Sequence, residues 1–259
     1  MPKMFKAKQI TIGSLAIALT TVMASAQTTP LTITLGFNQD LVADGSFALP
    51  STTSTIDGSS VFYDSSYAAS NGISGGIFPA GSTVTGNDGN QYTFASAMGD
   101  NGLLLDDGSE SGSLSFTPTG LSTLDLLGMS ANGGVSGGVT VSYTLNFANA
   151  TTASGTAFFQ DWYDESETLG TITGLQRVNQ ASDFYDSTHF FSLFSVAIAI
   201  PIADQSLALD SVTLTSDGIS GSSVAVFAAD GTAAPVPEPT SLVLAAAGVG
   251  LLAVLRRRS

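Results

Sequence analysis

The sequence predicts an all-β fold, a single β-sandwich or jelly roll of about ten short strands, on three observations. Apolar and polar residues alternate with a period of two in several runs. Asp-Gly and Asn-Gly pairs punctuate the intervals between them. No window between the two ends of the chain shows a helical period with caps.

The elements follow in order. Leu31, Ile33, Leu35 and Phe37 alternate with small polar residues, and Val139, Val141, Tyr143, Leu145 and Phe147 do the same. Val196, Ile198, Ile200 and Ile202 repeat the pattern, with Pro201 on the outward phase, which predicts an edge strand. Shorter runs fall at Tyr92–Ala95, Leu103–Leu105, Leu114–Phe116, Leu124–Leu127, Thr156–Phe159, Val212–Leu214 and Val224–Phe227. Asp44-Gly45, Asp57-Gly58, Asn71-Gly72, Asp88-Gly89, Asn101-Gly102, Asn132-Gly133 and Asp230-Gly231 are among the pairs expected to supply the positive φ of tight turns. A body of this size buries a real core, so it needs no disulfides, and the chain has no Cys.

Both ends stand apart from that body. Lys3, Lys6 and Lys8 precede an apolar stretch from Ile10 to Met23, and Ala24-Ser25-Ala26 follows. A charged start, a short apolar segment and an A-x-A site together read as a secretory signal over residues 1–26, cut by signal peptidase after Ala26. At the other end Pro237-Glu238-Pro239 precedes the uncharged, apolar segment Thr240–Leu255, then Arg256, Arg257 and Arg258. The prolines stop any folded element. Sixteen residues of helix span about 24 Å, and the flanking arginines can snorkel to complete a membrane crossing with the body outside. The expected organisation is therefore signal peptide 1–26, sandwich 27–234 and tail 235–259, with a transmembrane helix over 240–255.

The order of Pro237, Glu238 and Pro239, apolar helix and terminal Arg cluster resembles the PEP-CTERM sorting signal of exopolysaccharide-producing Gram-negative bacteria. The resemblance implies a partner, the membrane protease exosortase, that recognises the Pro-Glu-Pro element and releases the exported body. A permanent single-pass anchor is the other reading of the same residues, with the same topology.

Composition narrows the remaining body. With the terminal bases set aside, Arg177 is its sole Lys or Arg, while every acid but Glu238 lies within it. That field repels nucleic acid and anionic lipid. Calcium, a neutral polysaccharide, or solvent alone suits it better. The absence of Cys removes thiolate metal sites and thiol nucleophiles.

A second succession spans most of the body: Gly36-Phe37-Asn38, Phe62-Tyr63, Asn101 to Leu105, Val141-Ser142-Tyr143, Phe159 to Tyr163, Leu209 to Leu214, and Val226-Phe227-Ala228. It resembles the galactose-binding-like jelly-roll modules of secreted bacterial proteins, many with PEP-CTERM tails. The resemblance implies a jelly-roll fold and a basic residue after the Asp-Trp element, a place Arg177 can fill. It carries over no ligand residue.

Candidate sites are few. Asp161, Trp162 and Tyr163 open a segment joining the only Trp to four carboxylates within seven residues, so it can offer a sugar a ring face and hydroxyl acceptors. A Trp at a strand end in a sandwich is more often core or structural corner than ligand platform. Asp106, Asp107 and Glu110 around Gly108 are hard oxygen donors for a structural Ca²⁺, though without the D-x-D-x-D-G spacing, and read otherwise as solvated turn acids. His189, the lone His, has no G-x-S-x-G partner. The expectation is a non-catalytic cell-surface or extracellular-matrix protein, without other cofactor, that associates with extracellular polysaccharide. A purely structural or adhesive protein and a secreted glycan-active enzyme are the alternatives.

Overall fold

The computed structural model describes residues 28–45, 52–107, 109–133, 137–163, 170–216 and 221–235. The expected signal peptide, the transmembrane helix, the Pro-Glu-Pro element beyond Pro235 and the acids Asp164, Glu165 and Glu167 lie outside the described residues. Among those described, no helix is long and apolar enough to cross a membrane.

The body is mostly β. Ten strands form one curled sheet, organised by its longest strand, β8 (Ser111–Ala131). Along its first half β8 pairs with β2 (Ile33–Leu35) and β14 (Ala208–Thr215), and β14 continues to β9 (Gly138–Phe147) and β10 (Thr152–Gln160). Along its second half β8 pairs with β13 (Phe191–Ala199) and β15 (Ser223–Ala233). Strand β13 continues to β11 (Ile172–Leu175), and β15 carries β1 (Thr28–Leu31) and β7 (Leu103–Leu105) on its far side. The crossover falls between Gly120, opposite Ala208 of β14, and Leu121, opposite Ala233 of β15. Pro118, which lacks an N–H to donate, sits just before it, and strands that change sheets in this way make the corners of sandwiches.

One apolar core carries side chains from both halves of the curled sheet. Leu114, Phe116, Val141, Leu145, Val212 and Leu214 meet Leu103, Leu105, Leu124, Leu126, Val224 and Val226. The other face of the second half is also covered. Residues 37–45 and 52–101 fold over it as β3 (Val42–Ala43), β4 (Ser60–Tyr63), the helix α1 (Ser65–Asn71) and the hairpin of β5 (Thr83–Thr85) and β6 (Gln91–Thr93). The short β12 (Val178–Asn179) pairs with β4. Leu104, Leu127, Met129 and Phe227 face Leu41, Phe62, Phe78, Phe94 and Trp162 there. A strand buried on both faces loses its alternation, hence the continuous apolar run from Val224 to Ala229, shifted in phase by a bulge at Phe227.

Several expectations are corrected. Leu114–Phe116 and Leu124–Leu127 belong to one strand. Asp230-Gly231 is no turn but lies inside β15. Pro201 lies beyond the end of β13, and Ile202 is exposed. A capped helix exists: the Asp64 carboxylate accepts from the Ser66 and Tyr67 N–H groups, and Gly72 closes α1 with φ +67°.

Candidate functional site

The Asp161–Tyr163 segment leaves β10 beside the covered face of the sheet. Trp162 is only 2 % exposed. Its ring meets Phe62 edge-on at 5.3 Å and Phe191 at 4.6 Å, while its N–H and C=O bond to the Ser130 carbonyl and the Ser192 N–H. A pyranose has no access to that indole, so the stacking platform expected there is corrected: Trp162 is core. Asp161 is spent on the backbone, one oxygen accepting from Gly133 N–H at 3.1 Å and the other from Tyr163 N–H at 3.0 Å. Tyr163 alone of the three is open, 42 % exposed, with its ring against His189 and Phe191.

Arg177 ties this segment to a second one. Its guanidinium lies over the rings of Phe191 and Trp162, at 4.6 and 5.5 Å, and pairs with Asp57 at 2.6 Å and Asp186 at 3.4 Å. Desolvation works against the Asp186 carboxylate, but hydrogen bonds from Thr188 and His189 prevail and hold its pKa below the usual carboxylate value. Both Asp186 oxygens stand 3.0 Å from His189 Nδ1.

Asp57 was read from the sequence only as part of a turn, yet it is the hinge of the site. Its second oxygen caps Ser59 and Ser60 N–H, which fixes the 54–58 loop as one wall of a cleft of about 230 Å³. Asp106 and Asp107 line the same cleft at the end of β7, with Asn132 at the end of β8 and Ser222 and Ser223 at the start of β15. Asn132 Nδ2 donates to the Asp57 carbonyl at 3.2 Å, and Ser222 Oγ donates to the Asn132 carbonyl at 2.6 Å. Asp107 accepts from Gly221 N–H, and Asp106 from Ser109 N–H. The structure thus brings two of the three calcium candidates together in a cleft of carboxylates, amides and hydroxyls. Glu110 is not part of its lining. Among the described residues, no group of three or more His, Cys, Asp or Glu side chains is arranged to hold a metal.

The far end of β15 decides where this cleft points. Strand β15 begins at Ser223 in the cleft wall and ends at Ala233, and Ala234 N–H makes a last bond to Gly120. Pro235 follows at once. Residues 235–259 match the family model of the PEP-CTERM protein-sorting motif. The motif marks an exported protein that is sorted by exosortase and processed at the membrane. No curated protein matches the chain. Pro235, the first residue of the matched segment, and the cleft wall at Ser223 thus lie beyond opposite ends of β15, whose ten rises span at most about 33 Å. Thr28 lies opposite Thr232, so the chain also enters the body at the Pro235 end of β15.

A facing carboxylate pair within the sheet is covered. Asp125 and Asp230 stand opposite each other across β8 and β15, 6 % and 0 % exposed, beneath the β5–β6 hairpin. Asp230 accepts from Gln91 N–H at 2.9 Å, and Ser195 Oγ donates weakly to Asp125 at 3.4 Å. Burial first, then the charges of Asp230 and Asp88, push the Asp125 pKa up to about 6. Burial raises that of Asp230 too.

Proposed function

We propose that this protein is a non-catalytic component of the cell surface or extracellular matrix, which exosortase releases from its tail and which associates with exopolysaccharide through the cleft at the pole opposite that tail. The observation that carries the reading is β15 itself. One end joins the sorting motif and the other forms the wall of a cleft lined by hydroxyl, amide and carboxylate groups, the chemistry that hydrogen-bonds sugar hydroxyls. A body tethered by its tail holds such a cleft outward, toward the matrix. The jelly-roll resemblance of the sequence agrees with this role. The non-catalytic part of the reading rests on the sequence, in which the lone His189 has no G-x-S-x-G partner.

The mechanism is shallow hydrogen bonding on a rigid rim, weak at each copy and strengthened by many copies on one surface. The test is retention of the full chain, in mild detergent, on a panel of neutral and anionic polysaccharides, with calcium and with chelator. Selective retention that Asp107→Asn weakens supports the cleft. Retention lost on chelation adds a calcium ion held by Asp106 and Asp107. Retention on no polysaccharide overturns the reading and leaves a structural or adhesive protein.

A further inference from the structure

We propose that the outer face of the first sheet half, formed by β2, the first half of β8, β14, β9 and β10, is a docking surface for an uncharged polysaccharide chain. The choice of partner rests on the polysaccharide reading above, but the surface is separate from the cleft.

Charge is the first argument. The protein carries 21 acids, yet in these five strand segments the only charged residue is Asp210, at the bulge of β14. The outward positions are Ser, Thr and Asn almost throughout. The acids are gathered instead into loops such as those of Asp57, Asp106, Asp107 and Asp186. A polyanion is repelled by the body as a whole, and a polycation is drawn to those loops. A neutral polymer is the partner that loses nothing on an uncharged face.

Chemistry is the second. The hydroxyls run in rows across the strands: Ser113 meets Thr213 at 2.8 Å, Ser111 meets Thr215 at 3.1 Å, and Thr144 meets Ser154 at 3.3 Å. Each hydroxyl has one donor and two acceptor sites, so a pair that satisfies itself keeps capacity for an incoming hydroxyl. Phe158 completes the face. It is 48 % exposed, opposite Thr140, and its ring extends over Gly138, where any Cβ would collide with it. A ring laid along a sheet in this way offers its flat side to the C–H surface of a sugar. The face is about 20 Å across its strands and about 27 Å along them, room for an extended polymer rather than a single residue.

The test is affinity electrophoresis of the full chain through gels holding a soluble neutral glucan or alginate, comparing the parent with Phe158→Ala, Thr156→Glu and the cleft variant Asp107→Asn. Melting curves establish that each is folded, and Thr156→Glu, at an exposed site, serves if Phe158→Ala misfolds. The glucan should retard the parent and alginate should not. Each face variant should lose about fivefold or more in apparent affinity for the glucan, whatever Asp107→Asn loses at the separate cleft. Retardation untouched by the face variants but lost in Asp107→Asn overturns this proposal and keeps the cleft. Retardation in no gel overturns both. Sedimentation that shows a dimer dispersed by Thr156→Glu overturns it in favour of a contact between two copies of the chain.

Discussion

The Arg177 guanidinium lies 2.6 Å from the carboxylate of Asp57, 120 positions earlier in the chain, and it is the single cation of the body. The pair fastens the wall of the cleft to the aromatic layer, because the same guanidinium rests on Phe191 and Trp162.

Removing that cation leaves Asp57 and Asp186 facing each other without it. Arg177→Met keeps much of the apolar stem, so the loss isolates the charge. An expected cost of about 2–3 kcal/mol, below the range for a wholly buried pair because Arg177 is partly exposed, should appear in urea unfolding. Arg177→Lys should recover only part of it, since an ammonium cannot pair in two directions and lie flat on the rings. A parent-like midpoint for Arg177→Met would show the pair to be idle.

The facing carboxylates give a pH signature. Asp125, with a pKa raised from 3.8 to about 6, binds a proton more tightly in the fold than in the unfolded chain. Its contribution to stability is full below pH 3.8 and is lost as the pH rises through about 6. Asp40, buried and raised to about 6, adds in the same window. The melting temperature should therefore climb as pH falls from 7.5 to 5. Asp125→Asn should gain about 2 kcal/mol at pH 7.5, roughly 4–8 °C, and flatten the climb. A variant that melts below the parent at pH 7.5 contradicts the pairing.

Backbone approach is testable at Gly36, which follows β2 with φ +115° and lies so close to the Ser113 carbonyl that a Cβ would overlap it. Gly36→Ala should cost at least about 2 kcal/mol. Gly58, at φ +86° with open space around its Cβ, meets only the conformational penalty, and Gly58→Ala should cost about 1 kcal/mol. Equal urea midpoints for the two variants would remove the close approach as the cause.

Tail processing can be read by mass. In a host with exosortase, the exported protein should lack its C-terminal residues, and Glu238→Ala should retain them. An intact tail on the parent would mean a permanent anchor.

Legibility in the sequence followed burial. Where one face of a strand meets the core and the other meets solvent, as in β9, alternation from Val139 to Phe147 marks the strand almost to the residue. The second half of β8 is covered on both faces, so its pattern passes into Leu126-Leu127 and no longer announces a long strand. Pro118 and Gly120 lie inside the strand, between the two runs that the sequence separates. The helix α1 was hidden by its length, since seven residues make too few turns for a period, though Asp64 and Gly72 were its caps in plain view. At the site, Asp106 and Asp107 were found from local clustering. Asp57 was not, because its importance comes from Arg177 and Asn132, which only the tertiary fold brings to it.

Strand β15 also fixes how the body bears tension. A pull between the cleft wall and Pro235 runs down the axis of one strand, flanked by β8 on one side and by β1 and β7 on the other. Ladder hydrogen bonds lie perpendicular to their strands. The force therefore strains them together in shear, rather than unzipping them one after another. The line from the cleft wall at Ser223 to Pro235 is therefore the mechanically strong direction of the body.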